Sequence, residues 1–258
     1  MIKKICLLLL SLIGIIGLFS PWIVPNDPYL IDTTKRFFYP SWQYPLGTDH
    51  LGRCILSRIL IGMRYSVGSA LIIQLISSGF SLAIATIVTF RQGITKRIFI
   101  RLWDILLSFP TIILAFALIS VFGPGLKSVV IALVFAQTIY YSRIFHNAMI
   151  SLNEMNYIKA ARVSGTTGIK LLKTHFIPHV LPTLYTLLSL DLGKVILEIA
   201  GFSFIGLGVQ APIPEWGMMI DEGKQYMRQY PALIIYPGIS IFLIVLLLHQ
   251  VGVKKHAN

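Results

Sequence analysis

The stretch YIKAARVSGTTGIKLLKTHFIPH, Tyr157 to His179, is basic, is broken by two glycines and closes just after a proline, with long apolar runs on both sides. Asn153 can cap a helix beginning near Glu154, because its side-chain oxygen can accept a backbone N–H that has no partner inside the helix. Glu154 suits the positive end of the helix dipole and Arg162 the negative end. Gly165 can adopt the left-handed conformation that closes a helix. Glu154–Ser164 is therefore predicted as one short helix. A second is predicted from near Thr167 to Phe176, limited by Pro178 and Pro182 before the chain re-enters an apolar run. Ala160, Ala161 and Ser164 are small and leave room for close approach by another surface. From the residues alone, the segment is either an interfacial anchor for a helix bundle or a docking element for a cytoplasmic partner.

The surroundings of this segment set the class. The chain has 258 residues, 55% of them hydrophobic and 12% charged, and its mean hydropathy is +0.77. An ordinary soluble domain carries about twice that share of charge. So much apolar surface exceeds what one soluble core can bury, and a polytopic membrane protein follows. A spanning helix needs about 20 predominantly apolar residues. Six runs meet that need: Ile5–Val24, Tyr65–Phe90, Ile98–Phe122, Ser128–Phe145, Leu184–Gly206 and Ala232–Val251. The fold expected is all-α, a bundle of about six transmembrane helices. Three longer polar regions lie between the runs: Pro25–Arg64, His146–Pro182 and Val209–Pro231.

The net charge of +12 would suggest nucleic acid in a soluble chain. Here the lysines and arginines fall in short loops, where they act as topology determinants. Lys3, Lys4, Arg91, Lys96, Arg97, Arg101, Arg143, Lys159, Arg162, Lys170, Lys173, Lys254 and Lys255 then lie inside, with both termini cytoplasmic. Arg53, Arg58 and Arg64 fall outside and weaken the bias. The first run, after Lys3 and Lys4, lacks the small-residue cleavage pattern of a signal peptide at Ser20-Pro21-Trp22, so it reads as an uncleaved first helix. The organisation expected is a first helix with an external segment (1–64), a five-helix core (65–251, with the polar loop at 151–180) and a short cytoplasmic tail (252–258).

Catalytic chemistry is not legible. Cys6 and Cys54 do not suggest a disulfide framework or a metal site. Gly123-Pro124-Gly125-Leu126-Lys127-Ser128 lacks the glycine before lysine that a phosphate-binding Walker loop needs, so it reads as a turn. His175 and His179 are four apart, but they lack a third ligand in register and Pro178 interrupts them. No metal or catalytic residue is assigned. Asp191, Lys194 and Glu198 share one helix face. Charges inside a membrane face the bundle interior or water, so these three either form an internal ion pair, the preferred reading, or line a pathway. Asp104, near Arg101, reads as a membrane-boundary residue.

Several motifs resemble one family. Ala160-Ala161-Arg162-Val163-Ser164-Gly165, followed by His175-Phe176-Ile177-Pro178, is similar to the "EAA" loop of ABC-importer permeases. Leu46-Gly47-Thr48-Asp49-His50-Leu51-Gly52-Arg53, then Ser57-Arg58 and Gly62-Met63-Arg64-Tyr65-Ser66, resembles the external signature of dipeptide, oligopeptide and nickel permeases. Ser203-Phe204-Ile205-Gly206-Leu207-Gly208-Val209-Gln210, with Pro212, Pro214, Trp216 and Gly217, resembles the same group, as does Arg101–Pro110. The resemblance covers nearly the whole chain and indicates the C-type permease. Lys159, His179 and Ile205 depart from it, standing where an acidic residue, asparagine and leucine are usual.

The resemblance implies a bacterial plasma-membrane permease, not itself an enzyme, that imports peptides, nickel or metal chelates. Peptide has a slight edge on family breadth. It implies a heterodimer with a second permease, two ATPase subunits that carry ATP and Mg, and an extracellular substrate-binding protein. It implies membrane lipid around the chain, no nucleic acid, and no cofactor on the chain itself. It also implies an ATPase-coupling loop carried by Tyr157, Ala160, Ala161, Arg162, Gly165, His175 and Pro178. Gly47, Thr48, Asp49, Gly52, Arg53, Arg58 and Arg64 form the external motif. An ATP-independent carrier or a membrane scaffold is the alternative.

Overall fold

The computed structural model describes residues 2–252. The expected tail with Lys254 and Lys255 lies outside the described residues, as do the side chains of Lys3 and Lys4. The chain is helical, with no strand among the described residues beyond a single bridge between Thr48 and Cys54. In order, the helices are α1 Ile2–Ile23, α2 Ile55–Phe90, α3 Ile94–Leu107, α4 Thr111–Phe122, α5 Leu126–Asn153, α6 Asn156–Val163, α7 Gly168–Leu171, α8 Ile177–Phe204, α9 Trp216–Gly223 and α10 Ala232–Gly252. Four are long and apolar enough to cross a membrane, or six spans result if each of two bent pairs counts as one.

The boundaries differ from expectation in instructive ways. α2 begins at Ile55 rather than Tyr65 and runs 36 residues. At 1.5 Å per residue that is about 54 Å, well beyond a hydrocarbon core of about 30 Å, so one end of α2 must project from the bilayer. The third expected span is broken. α3 and α4 meet at 91°, because Pro110 disfavours helical backbone at Phe109 and starts a new helix whose first N–H donors reach the Pro110 carbonyl. α5 continues past Phe145 to Asn153.

The described residues form two compact units. One comprises the chain through Ile72, Leu118–Val130 and the residues from Ser189 onward; the other comprises Ile73–Ala117 and Ile131–Leu188. In the second unit, the α2 hydroxyls bond back to carbonyls of their own helix, as Thr86 does to Leu82 at 2.7 Å. This satisfies polar groups where water is absent. Ser81 also reaches the Thr138 carbonyl at 3.0 Å, and Tyr141 donates to Gln74 Oε1 at 3.1 Å. These bonds join α2 to α5. A buried core of Ala85, Tyr141, Phe145, Met149, Leu152, Ile158, Leu171, Phe176 and Val180 ties the polar loop to α2, α5 and α8.

Ile158 is fully buried in that core. Ile158→Val removes one methylene and is expected to cost about 1 kcal/mol. This is measured as the midpoint of thermal unfolding in detergent. An unchanged midpoint would mean that this side chain does not anchor the loop.

Candidate functional site

The polar loop is built differently from its expected helices. Asn153 does not cap the first short helix; it is the last residue of α5, and its side-chain oxygen accepts from the Arg162 guanidinium. α6 starts at Asn156, after Met155. An N-cap needs extended backbone, and Met155 supplies it (ψ 138°) while α5 is still helical to Asn153. The other end matches expectation. Gly165 has φ +84°. Its N–H reaches the Arg162 carbonyl at 3.0 Å, and the Thr166 N–H reaches the Ala161 carbonyl at 2.9 Å. This pair of bonds is the Schellman closure.

The second short helix is only Gly168–Leu171. It passes through a wide π turn at Leu172–Phe176 directly into α8. Pro178 and Pro182 therefore do not end a helix before the next span; both lie within α8. The physical reason is the proline ring. It lacks an N–H and would clash with the carbonyl four residues back, here that of Thr174, and a π turn widens the backbone at that point. Pro182 instead accompanies a bend of 43°.

The loop sorts its side chains by face. Ile158, Leu171 and Phe176 point into the core, while Tyr157, Ala160, Val163 and Ile169 are exposed. Val163 is 90% exposed and Ile169 72%. Tyr157 is braced by His175, with ring centroids 6.1 Å apart. Lys159, Arg162 and Pro178 are exposed as well. A basic, two-helix element thus presents apolar side chains outward from a rigid base.

The residues of the Gly47–Arg64 motif lie in the other unit. Asp49 Oδ1 accepts the N–H groups of Leu51 (2.9 Å) and Arg53 (3.0 Å), and Oδ2 accepts Arg53 Nε at 2.7 Å. Arg53 and Arg58 each donate Nη2 to Glu222 Oε2 at 2.8 Å. Both arginines are at most 2% exposed. Thr48 accepts from the Phe38 N–H at 2.8 Å and donates to the Lys35 carbonyl. Gly47 and Gly52 both have φ +78°, and a Cβ on Gly52 would collide with the Asp32 carbonyl. Arg64 does not join the other two arginines. It is exposed and lines an apolar cavity of about 310 Å³ with Gly14, Gly17, Met63 and Leu71.

The third motif region closes on this one. Glu215 caps α9 by accepting the Met218 N–H at 3.0 Å, and it also accepts Ser66 Oγ at 2.8 Å. Trp216 is fully buried and donates its indole N–H to the Ile59 carbonyl at 3.1 Å. Sequence reasoning missed Glu215 and Glu222 as partners. A signal existed: two arginines in a largely apolar neighbourhood need counter-charges, and the chain has only 10 acidic residues.

Asp49, His50 and Glu222 have potential ligand atoms within 4.8 Å of one another. Both Asp49 oxygens and Glu222 Oε2 are already taken by N–H donors, and two guanidinium charges stand beside them. The arrangement is an ion-pair cluster rather than a cation site. Burial pushes the His50 imidazole below its ordinary range, and Arg53 and Arg58 push the same way against Asp49 and Glu222. The unfolded chain then takes up this proton at a higher pH than the folded chain. The associated stability is complete above about pH 6.5 and falls as the pH drops through that range. His50→Phe is expected to flatten the decline of the unfolding midpoint on acidification; the same slope in both proteins would exclude His50 as its source.

On α8, Lys194 pairs with Glu198 at 3.6 Å, with Glu198 buried and Lys194 half-exposed. Asp191 lies about one turn earlier on that helix. Asp104 pairs with Arg143 at 3.1 Å.

Among solved structures, the fold is similar to a chain of the MetNI methionine ABC transporter in its inward-facing conformation. The TM-score is 0.61, and the match covers 77% of this chain and 94% of that one. Sequence identity is 19%, so this likeness speaks for the fold alone. The fold is that of a chain of an ABC transporter. The nickel transport system permease protein NikC of Escherichia coli (strain K12) is 36% identical over 96% of this chain and 90% of its own length. The dipeptide permease DppC of Alkalihalophilus pseudofirmus is 30% identical (95% and 81%), and the metal-staphylopine import permease CntC of Staphylococcus aureus is 32% identical (90% and 80%). Residues 76–252 match the family described as the binding-protein-dependent transport system inner membrane component, and the chain belongs to that family.

Proposed function

We propose that this chain is the C-type permease of an ATP-driven importer for nickel, metal chelates or peptides. It pairs with a second permease, two ATPase subunits that hold ATP and Mg, and an extracellular substrate-binding protein. In this reading both termini are cytoplasmic, residues 1–64 carry the first span and the external segment, residues 65–251 form the core, and the loop at 151–180 is the socket for an ATPase. The observation that carries the reading is the outward apolar face of Tyr157, Ala160, Val163 and Ile169 on a loop anchored by Ile158, Leu171 and Phe176. Exposed apolar side chains on a polar loop mark a protein contact. Closure of the ATPase pair would bind one state of this element better than the other and so shift the spans between inward-facing and outward-facing arrangements. Arg162, held by Asn153, and His175, beside Tyr157, position that face. Lys194–Glu198 with Asp191 is read as an ion-paired charge group of α8, with a pathway lining as the alternative. The names of the relatives put nickel first among the cargoes to test.

The test is co-purification of the tagged chain from its native membrane. ATPase subunits and a second permease should accompany it, together with nickel uptake that depends on this chain. Recovery without any ATPase, under conditions that keep other importers intact, would favour an ATP-independent carrier or scaffold.

A further inference from the structure

The protein has four tryptophans. Trp103 and Trp216 are buried; Trp22 and Trp42 are exposed, Trp42 completely. Trp22 is the penultimate residue of α1. Trp42 sits far along the chain, but the structure returns it to the same helix end. The Asn26 N–H, just past α1, donates to Ser57 Oγ at 3.1 Å in the first turn of α2. The Asn26 side-chain amide donates to the Gln43 carbonyl at 2.7 Å, beside Trp42. Trp42 itself occupies a tight turn, closed by Ser41 N–H to the Tyr44 carbonyl (2.9 Å) and Tyr44 N–H to Ser41 Oγ (3.2 Å). Hydrogen bonds therefore fix it near the ends of two membrane-length helices.

The aromatic residues of this segment are sorted. Tyr44 is buried, and Phe37 stacks on Tyr230 with centroids 4.0 Å apart. Tyr39 and Trp42 project outward, 81% and 103% exposed. A rigid turn that holds an indole in water loses the hydrophobic gain of burying it. The headgroup layer of a bilayer accommodates the same ring, which has an apolar body and a polar N–H. Trp22 is positioned to share that layer from the end of α1.

We propose that Trp42, with Tyr39 and Trp22, forms an anchor seated in the lipid headgroup layer, fixing the Pro25–Cys54 segment against the membrane surface. The site takes lipid rather than a protein partner. It goes beyond the importer reading and needs only that α1 and α2 span the bilayer.

The test uses the full chain labelled with fluorotryptophan in phospholipid nanodiscs. Fluorine NMR reads the signals, and Trp42→Phe assigns the Trp42 resonance. One sample contains a lipid spin-labelled at the top of its acyl chain; another contains a soluble gadolinium chelate. The expected result is loss of the Trp42 resonance with the lipid probe and its survival with the soluble chelate. Loss with the soluble chelate alone would overturn the anchor and leave a solvated loop. Survival under both probes would also overturn it, placing Trp42 against protein.

Discussion

Replacing Glu222 with alanine is expected to destabilise the folded chain by about 3–5 kcal/mol, the cost of stranding a buried charge without its partner. Glu222 Oε2 accepts from both Arg53 and Arg58, each at 2.8 Å, and both guanidiniums are shut away from water. Without this carboxylate, Asp49 remains as counter-charge, 2.7 Å from Arg53 and 3.6 Å from Arg58. One carboxylate would then face two buried cations. Glu222→Gln should be destabilising in the same direction, since it keeps the shape and removes the charge. Denaturant unfolding in mild detergent measures the effect. A double variant, Glu222→Ala with Arg58→Met, should recover part of the loss, because removing both partners of a buried pair is far milder than removing one. Equal midpoints for wild type and Glu222→Ala would show that the cluster is solvated and contributes little.

Gly165→Trp is expected to abolish ATPase co-purification and uptake while leaving the fold standing. The backbone at Gly165 has φ +84°, and open space surrounds the position where a Cβ would stand. A Cβ there therefore meets no neighbour, and the penalty is that of the left-handed backbone, about 1–2 kcal/mol. That is too little to unfold a helix loop secured by Ile158, Leu171 and Phe176. The indole would instead project from the exposed side of the loop and obstruct a docking partner. Gly165→Asn separates the two effects, because asparagine tolerates the left-handed region and is small. It should retain most ATPase binding. If Gly165→Trp co-purifies ATPases as wild type does, the loop is an interfacial anchor and not a socket.

Much of this molecule follows from local chemistry. The apolar runs are long enough to demand spanning helices whatever surrounds them. Gly165 closes α6 because glycine alone adopts that backbone without strain, and Pro110 breaks α3 from α4 for an equally local reason. The motif residues from Gly47 to Arg58 are visible as a group, as is the Ala160–Gly165 loop. The start of α2 was not legible, because Arg58 and Arg64 interrupt the apolar pattern before Tyr65. Arg58 can sit buried in a helix because Glu222, remote in sequence, reaches it, with Asp49 beside it. The burial of Trp216 likewise depends on a remote group, the Ile59 carbonyl that accepts its indole N–H. Pro178 reads as a stop in the sequence, yet a π turn carries the helix past it. Periodicity, caps and turns are set within a few residues. The burial of a charge or the exposure of a ring depends on which distant group folding brings beside it, and only the tertiary structure decides that.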